Sequence, residues 1–239
     1  MKGQSPKEQI MPTTEWVKES VFGIWFLNTN TWRQRVLRIA LNDLQRLVPK
    51  FPLQPLILDV GCGRGNAFQL LAEHFQPQQI VGIEIDPELL PDSFRAAKRC
   101  ICPVTVVAGN IEVLPFAEHS VDIVFCHQSF HHIIQHRQAM LEFHRVLKPG
   151  GILLFAESCK RFIHSLPIRL LFRHPMAVQK TAEQYIQLIR DSGFDLDGSR
   201  ISMPYLWWSR PDIGTLEWLG RPVPMRPEAT LINLVAIKL

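Results

Sequence analysis

One short segment constrains the fold more than any other: a buried apolar strand that leads directly into a glycine-rich loop. It spans Leu58–Gly65 and reads LDVGCGRG. Glycine lets the backbone turn tightly at the end of a strand and lets a ligand approach without a Cβ in the way. In an open α/β sheet, the crevice at such a strand end is where cofactors bind. The segment therefore predicts a parallel sheet with a ligand site at the end of this strand.

The middle of the chain alternates between short apolar runs and amphipathic stretches. The apolar runs predict strands at Leu56–Val60, Ile80–Ile85, Val104–Ala108, Val121–Cys126 and Ile152–Ala156. The amphipathic stretches predict helices at Ala67–Phe75, Pro87–Arg99, Arg137–Leu147 and Thr181–Arg190. This alternation implies a parallel sheet that is covered on both faces. Two later runs, Ile201–Trp208 and Ala229–Lys238, have only a loop between them and should pair antiparallel.

The two ends of the chain differ from this middle. Residues Trp16–Val48 follow a largely helical pattern, with a predicted break at Asn28–Thr31 and an end at Pro49. We therefore predict a helical N-terminal cap over residues 1–52 and one structural unit over residues 53–239.

Composition narrows the class of protein. The 239 residues are 46% hydrophobic and 20% charged, which excludes wholesale disorder. A net charge of +4 is too small for a protein that coats nucleic acid, so no nucleic-acid partner is expected. No apolar run approaches the roughly 18 residues of a membrane span, and no secretory signal is visible. With an odd count of 5 cysteines, these features predict reduced thiols and a cytoplasmic protein without stable membrane insertion.

An acidic residue strengthens the ligand-site prediction. Glu84 lies near the end of the next predicted strand, roughly 20 residues after the loop, where an acid can accept hydrogen bonds from both ribose hydroxyls of a nucleoside. The loop spacing is G-x-G-x-G, with Asn66 at the sixth position. A dinucleotide fold requires G-x-G-x-x-G for its pyrophosphate, so the spacing disfavours a nicotinamide-dependent oxidoreductase.

Four ordered motifs resemble the class I S-adenosylmethionine-dependent methyltransferases of the methyltransferase type 11 kind. They are LDVGCGRG, VGIEID, GNIEVLPFAEHSVDIVF and RVLKPGGILLFAE, within roughly residues 56 to 158. The resemblance implies a Rossmann-like three-layer α/β sandwich. Its seven-stranded sheet is mostly parallel, with an antiparallel last strand. It also implies S-adenosyl-L-methionine as cofactor and S-adenosyl-L-homocysteine as product.

The resemblance assigns cofactor contacts residue by residue. Asp59, Gly61 and Gly63 match the loop that holds the methionine end, and Glu84 matches the ribose-binding acid. Asn110 stands where the family usually has Asp beside the adenine, and the backbone amide of Ile111 would face the ring. The predicted cofactor-binding set is Asp59, Gly61, Cys62, Gly63, Glu84, Ile85, Asn110, Ile111 and His127.

The segment Cys126–His132, which reads CHQSFHH, supplies the catalytic candidates. An O–H or N–H acceptor can require a base, and histidine titrates in the right range. We predict that His127 or His131 deprotonates or orients the acceptor, the alternative being that both only shape the site. Glu157 is a second candidate base; otherwise it caps a helix or pairs with Arg161.

The spacing of the histidines after the fourth predicted strand does not predict a metal site. His127/His131 and His132/His136 have the i, i+4 spacing that places two side chains on one helix face. No glutamate follows the first histidine of either pair, and no third ligand is evident. His132 and His136 are expected on the helix that follows the fourth strand.

The acceptor side is less constrained. Six tryptophans lie outside the cofactor-binding middle, and aromatics gathered over the strand ends would wall a mostly apolar pocket. The basic segment Lys160–Met176 is expected to act as a lid, and the alternatives are a plain surface helix, a segment that binds an anionic group, or a helix that contacts a membrane surface. The predicted partner is a small, partly apolar acceptor, and the alternative is a methyltransferase-like protein that binds cofactor or a partner without catalysis. The oligomeric state stays open.

Overall fold

An eight-stranded sheet organises the part of the chain that the computed structural model describes, residues 16–222 and 228–239. The strands are β1 (Leu56–Val60), β2 (Gln79–Glu84), β3 (Val104–Ala108), β4 (Val121–His127), β5 (Leu147–Ser158), β6 (Phe194–Asp195), β7 (Ile201–Ser202) and β8 (Leu231–Lys238). Their order is β3-β2-β1-β4-β5-β8-β6, and β7 also pairs with β8. Strands β1 to β5 are parallel, whereas β8 runs antiparallel to β5. The predicted fold class is confirmed.

The end of the sheet differs from the prediction in detail. Over the predicted strand Ile201–Trp208, only Ile201 and Ser202 pair with β8. Pro204 has no backbone N–H to donate to a ladder, and Trp207–Ser209 folds into a 3₁₀ turn. The extra strand β6 pairs with the end of β8, which raises the strand count from seven to eight among the described residues.

The strand order places a switch point between β1 and β4. From β1 the chain moves outward to β2 and β3, and it then returns to β4 on the opposite side of β1. The loops that leave β1 and β4 therefore diverge and open a crevice at the carboxyl ends of the strands. The glycine loop follows β1, and the loop that begins with Gln128 follows β4. The fold thus brings both segments that the sequence analysis singled out to one place.

The helices are α1 (Val21–Leu27), α2 (Asn30–Trp32), α3 (Arg38–Leu47), α4 (Phe68–Phe75), α5 (Leu90–Ala97), α6 (His136–Val146), α7 (Lys160–Ile163), α8 (Leu166–Leu171), α9 (Ala182–Asp191) and α10 (Thr215–Trp218). The predicted break in the N-terminal helical stretch lies at Thr29, whose side chain accepts a hydrogen bond from the amide of Trp32 and begins α2. A π-helical turn, Arg33–Leu37, joins α2 to α3. Within the described ranges, no helix combines the length and the apolar character that crossing a membrane requires.

Two hydrophobic cores cover the two faces of the sheet. Side chains alternate along β1, so Leu58 and Val60 enter one core and Ile57 enters the other. Phe143 of α6 contributes to the first core, and Leu71 of α4 contributes to the second. This gives the three layers of an α/β sandwich.

The histidines after β4 do not lie where the helical spacing placed them. His127 is the last residue of β4, and His132 lies in a single 3₁₀ turn, Phe130–His132. Only His136 lies on α6, as its first residue. Neither i, i+4 pair therefore shares a helix face, because the chain changes from strand to turn between its members.

Residues 16–20, here called the N-terminal strap, cross the crevice. Trp16 forms an isolated antiparallel bridge with Ile133, and the amide of Val17 donates to the carbonyl of His132 at 3.4 Å. The hydroxyl of Ser20 donates to the carbonyl of Leu171 at 2.5 Å. The strap thus connects the turn after β4 to the end of α8. The predicted cap over residues 1–52 includes residues 1–15, which lie outside the described residues.

Candidate functional site

Two cavities lie side by side above the carboxyl ends of β1 and β4. The glycine-loop cavity has a volume of about 130 Å³ and is bordered by Gly61, Gly63, Glu84, Asn110 and Ile111. The aromatic cavity has a volume of about 240 Å³, and its walls are mainly apolar. Glu19, Leu27, Gln128 and His132 border both cavities. A ligand in one cavity therefore lies next to a ligand in the other.

The glycine loop depends on close contacts at its first glycine. Gly61 has a φ of +68°, and a Cβ there would lie 2.5 Å from the Cβ of Ser129, in the loop after β4. The amides of Gly61 and Cys62 both donate to the carbonyl of Ile83, at 2.9 and 3.0 Å. Gly63 has a φ of +55° and faces open space. Only a residue without a side chain fits the first position, and the same lack of a side chain at Gly63 leaves room for a ligand.

Glu84 is held by backbone amides at the floor of the glycine-loop cavity. Its Oε2 accepts from the amide of Gly63 at 2.7 Å, and its Oε1 accepts from the amides of Ile85 and Asp86 at 2.9 and 2.8 Å. Burial raises the pKa of Glu84, and these three hydrogen bonds partly oppose that rise. Each carboxylate oxygen has further acceptor capacity, so Glu84 can also accept hydroxyl donors from a ligand.

Asp59 lies buried beneath the loop and does not border either cavity. Its Oδ2 has no hydrogen-bond partner among the residues of the described ranges. Burial, together with the charge of Glu84, raises the pKa of Asp59 to about 8. The carboxyl group is therefore protonated at neutral pH until a nearby cation favours its charged form.

Asn110 and Ile111 border the far end of the glycine-loop cavity. The side-chain oxygen of Asn110 accepts from the amide of Glu112 at 2.9 Å, which fixes the turn after β3. A carboxamide oxygen has a second lone pair, so it can also accept from a ligand amino group.

Like Asp59, the predicted cofactor contacts Cys62 and His127 border neither cavity. The side chain of Cys62 belongs to the core against α4, so only its backbone belongs to the loop. The His127 ring lies outside both cavities. Its centroid is 5.9 Å from that of the Phe125 ring and 5.4 Å from that of the Trp32 ring. Burial lowers the pKa of His127 to about 4, which keeps the ring neutral.

The walls of the aromatic cavity come from three distant parts of the chain. They are Phe22, Phe26 and Trp32 near the N-terminus, Phe162, Ile168 and Phe172 in the basic segment, and Trp207 and Trp208 near the C-terminus. Trp16 borders the glycine-loop cavity instead. Trp25 and Trp218 are 59% and 85% exposed and border neither cavity. The predicted aromatic pocket therefore involves four of the six tryptophans, if both cavities are counted.

Gln128 lies at the junction of the two cavities in a left-handed backbone conformation, with a φ of +52°. Its amide donates to the carbonyl of Ala156 at 3.0 Å, and its Oε1 accepts from the hydroxyl of Ser158 at 2.6 Å. Such a conformation costs free energy for a residue with a side chain, and it is often found at ligand sites.

Glu157 is fully buried under the loop after β4 and reaches neither cavity. Its Oε1 accepts from the amides of Ser129 and Phe130, each at 2.8 Å, and its Oε2 lies 2.5 Å from Nδ1 of His131. Burial alone would raise the pKa of Glu157, but the His131 ring and the two amides together hold it below its ordinary value. Glu157 therefore contacts the His131 ring and not the aromatic cavity, although the sequence predicted it as a candidate base for the acceptor. Arg161 pairs with Glu228 instead.

Three histidines border the aromatic cavity beside the junction. The rings of His131 and His132 have centroids 4.5 Å apart, and each lies 5.0 Å from the ring of His174. Nδ1 of His132 and Nδ1 of His174 form no hydrogen bond with any described residue. Burial, with smaller contributions from the neighbouring histidines, lowers the pKa of His132 to about 3 and that of His174 to about 2. These two rings are therefore neutral.

Sequence reasoning missed two residues of this site. His174 supplies the third histidine that the spacing argument did not find, and it lies in an irregular stretch between α8 and the turn Met176–Val178. Glu19 lies on the N-terminal strap. No periodic pattern marks either residue. Gln128 belongs to the segment Cys126–His132 that the sequence singled out, but the sequence did not predict its left-handed backbone conformation.

Comparison with known proteins finds matches to the middle part of the chain. The family model described as a methyltransferase domain matches residues 58–155. Over 105 residues the chain is 37% identical to malonyl-[acyl-carrier protein] O-methyltransferase 1 from Coxiella burnetii, a match that covers 44% of this chain and 34% of that protein. Over 102 residues it is 34% identical to the mitochondrial arginine-hydroxylase NDUFAF5 from Danio rerio, covering 43% of this chain and 30% of that protein. The chain thus spans about a third of the length of these two curated relatives.

Among solved structures, the fold is similar to one chain of a complex between a methyltransferase activator and a methyltransferase from Haloferax volcanii. The TM-score is 0.67 at 20% identity, and the match covers 90% of this chain and 95% of that chain. At this identity the similarity concerns the fold alone.

Proposed function

We propose that this chain, which belongs through residues 58–155 to the class I S-adenosylmethionine-dependent methyltransferases, transfers a methyl group to a small, partly apolar acceptor. The observation that carries the proposal is the pair of adjoining cavities, one bordered by the glycine loop and Glu84 and the other by aromatic side chains. In this proposal residues 53–239 form the methyltransferase domain, and the helical segment before them caps both cavities.

The residues of the glycine-loop cavity fit S-adenosylmethionine. Glu84 has acceptor capacity for the two ribose hydroxyls, and Gly63 leaves space where a Cβ would otherwise project. Asn110 and Ile111 border the end of the cavity that would receive the adenine. Among the described residues, one buried carboxyl oxygen of Asp59 has no hydrogen-bond partner, and the positive charge of the cofactor would favour the ionised form of this group.

The chain supplies alignment and exclusion of water. When bound, the cofactor supplies a methyl group on a positively charged sulfur, a strong electrophile that needs positioning more than activation. Gln128, fixed through the carbonyl of Ala156 and the hydroxyl of Ser158, lies where the two ligands would meet. The aromatic walls exclude water from that meeting point.

In this proposal His131 deprotonates or orients the acceptor. Glu157 holds its Nδ1 as the protonated nitrogen, so Nε2 carries the lone pair. His131 borders the aromatic cavity, whereas His127 does not, which favours His131 among the two predicted candidates. His131→Ala is expected to lower turnover by roughly 100-fold or more while cofactor affinity stays within a few-fold. The control is His74→Ala, which removes a histidine of α4 that borders neither cavity.

The first experiment is a calorimetric titration of the purified protein with S-adenosylhomocysteine, with NAD as the comparison ligand. We expect micromolar binding of S-adenosylhomocysteine, no binding of NAD, and loss of binding in Glu84→Ala. Glu73→Ala, an exposed acid on α4, is the matched control and should bind like the wild type. Binding of neither ligand would overturn the cofactor assignment.

A second candidate function is binding without methyl transfer. One relative is named for another activity, arginine hydroxylation, and Asn110 replaces the aspartate usual in the family. A protein that binds S-adenosylhomocysteine, yet forms none from S-adenosylmethionine with a panel of apolar alcohols, thiols and amines, would favour this candidate.

A further inference from the structure

The three histidines beside the cavity junction form a cluster with ligand geometry. One nitrogen of His131, one of His132 and one of His174 lie within 4.8 Å of one another. Three nitrogens bound to one Zn²⁺ lie about 3.4 Å apart, since each Zn–N bond is about 2.0–2.1 Å. Binding a common ion would draw the three nitrogens closer together than the 4.8 Å limit.

We propose that His131, His132 and His174 bind one divalent transition-metal ion of the zinc class, with a fourth coordination position open to the aromatic cavity. Three histidines with an open position are the donor set of a catalytic rather than a structural zinc site. Imidazole nitrogen is a ligand that suits zinc-class ions, whereas magnesium and calcium prefer oxygen.

Two hydrogen-bond networks hold the cluster in place. Glu157 lies 2.5 Å from Nδ1 of His131, which leaves Nε2 to bind an ion, and carboxylates commonly hold metal-binding histidines in this way. The carboxamide nitrogen of Gln179 donates to the carbonyl of His131 at 2.8 Å and to that of Pro175 at 3.0 Å. The buried Gln179 side chain therefore ties the backbone beside His174 to the turn that holds the other two histidines.

The charge around the cluster favours a cation. Glu19 Oε2 lies 3.7 Å from Nε2 of His132, and Glu157 is buried behind His131. Glu19 is itself fixed, because its Oε1 accepts from the amide of Arg173 at 3.0 Å. The free nitrogens of His132 and His174 have no competing hydrogen bond within the described ranges, so binding an ion breaks no existing interaction of those atoms.

This site would act on the acceptor of the proposed methyl transfer, and in that role it rests on the proposed function. An acceptor hydroxyl or thiol that entered the open position would lose its proton to solvent and keep the electron pair on its oxygen or sulfur, and the ion would stabilise that anion beside the glycine-loop cavity. The anion would then form a bond to the methyl carbon while the carbon–sulfur bond of the cofactor breaks and leaves its electron pair on the sulfur of S-adenosylhomocysteine. With Nε2 bound to the ion, His131 would orient the acceptor through the ion and would not take its proton. The inferred acceptor class is an apolar molecule that bears an ionisable hydroxyl or thiol group.

The test is calorimetric titration of metal-free protein with Zn²⁺ alone. A background with Cys100→Ser and Cys102→Ser removes two neighbouring thiols that could themselves bind Zn²⁺, since their sulfurs lie 3.7 Å apart. We expect one Zn²⁺ per chain with a dissociation constant in the micromolar range or below. Absence of zinc binding in this background would overturn the proposal.

Histidine variants assign the binding to the cluster. His174→Ala, in an irregular and partly exposed stretch where misfolding is least expected, should weaken zinc binding by about 100-fold. Glu157→Gln should weaken it by about 10-fold to 100-fold, the usual effect of losing a carboxylate behind a ligand. His74→Ala is the control and should bind zinc like the background. Equal zinc affinity in His174→Ala and the background would overturn the assignment.

The open position is tested with Co²⁺ in place of Zn²⁺. Azide, a small anionic probe, should change the visible absorption of the Co²⁺-loaded protein but not that of Co²⁺-treated His174→Ala. An unchanged spectrum would show that the fourth position is closed.

S-adenosylhomocysteine titration of the same preparations separates the two proposals. Zinc binding without S-adenosylhomocysteine binding would support the metal site and overturn the proposed methyl transfer. The reverse result would overturn the metal site and leave the methyl transfer standing.

Discussion

The glycine-loop cavity and the aromatic cavity share four bordering residues, yet the chain builds them in different ways. The first is made mainly from loops that directly follow β1, β2, β3 and β4, so strand pairing alone places most of its residues. The second joins α1, α8 and the stretch around Trp207, which are far apart in sequence. The first is therefore specified by local sequence and the second by tertiary packing.

Buried ionisable groups sharpen the contrast. The glycine-loop side contains Asp59 and Glu84, whose burial raises their pKa values. The aromatic side contains His132 and His174, whose burial lowers theirs. Without ligands, burial thus favours the neutral form of these four groups. A cation on the glycine-loop side would favour the charged form of the two carboxylates, whereas a metal ion on the aromatic side would bind the neutral imidazoles.

The largest expected effect concerns the pH dependence of stability. Asp59 keeps its proton up to about pH 8 in the folded protein, whereas the unfolded chain loses it near the ordinary value of 3.8. Between these values the folded state binds more protons, so the free energy of unfolding falls as pH rises, by up to about 1.4 kcal/mol per pH unit. Asp59→Asn removes this titration. From pH 5 to pH 8, we expect the wild type to lose up to about 4 kcal/mol relative to the variant.

Urea denaturation at each pH measures this difference. The pKa of Glu84 is also raised, so its titration makes the free energy of unfolding depend on pH in both the wild type and the variant. Asp191→Asn, a surface change on α9, is the matched control and should follow the wild type. Parallel pH curves for the wild type and Asp59→Asn would contradict the prediction.

A smaller effect is expected from adding one methyl group to the glycine loop. In Gly61→Ala the new Cβ would lie 2.5 Å from that of Ser129, so overpacking of about 1–3 kcal/mol adds to the backbone strain. Gly150→Ala has the same kind of backbone strain, with a φ of +75°, but no atom of the described residues lies within 4 Å of the new Cβ. It should cost only about 1–2 kcal/mol. The free energies of unfolding in urea give the comparison, and equal losses would show that the contact with Ser129 does not matter.

The smallest expected effect tests the independence of the two cavities. Phe172→Ala removes part of the wall of the aromatic cavity. The centroid of the Phe172 ring lies 5.5 Å from that of Phe22 and 6.0 Å from that of Phe26. We expect the KM of an acceptor found by screening to rise about 10-fold, or about 1.4 kcal/mol, with unchanged affinity for S-adenosylhomocysteine. Phe94→Ala, at an exposed phenylalanine of α5 that borders neither cavity, is the control. A parallel loss of S-adenosylhomocysteine affinity would show that the two cavities are not independent.

The sequence predicts the sheet and the glycine-loop cavity well because their signals are local. The bounds predicted for β1 and β3 match the structure, since each strand is a short apolar run between turn residues. Gly61, Gly63 and Glu84 lie at strand ends, so the positions of the strands also place these residues.

The aromatic side is harder to predict, because no local sequence pattern indicates how deeply a side chain is buried or which distant residues it contacts. Glu157 lies at the end of a predicted strand. The alternation of side chains along a strand does not reveal that its carboxylate is hydrogen-bonded to two amides and to His131. His174 reaches the cluster only because α7, α8 and Gln179 fold the chain back over the turn after β4. The pairing of Ile201 and Ser202 with β8 is likewise cut short by Pro204 two residues later.

The N-terminal strap gives the two cavities a common boundary. Through Glu19, a single short segment borders both, and it is held by Ile133 on one side and by Leu171 on the other. A molecule that leaves either cavity past this segment has to break the same few hydrogen bonds. Displacing the strap would therefore open both cavities at the same time, because the same contacts hold it beside each of them.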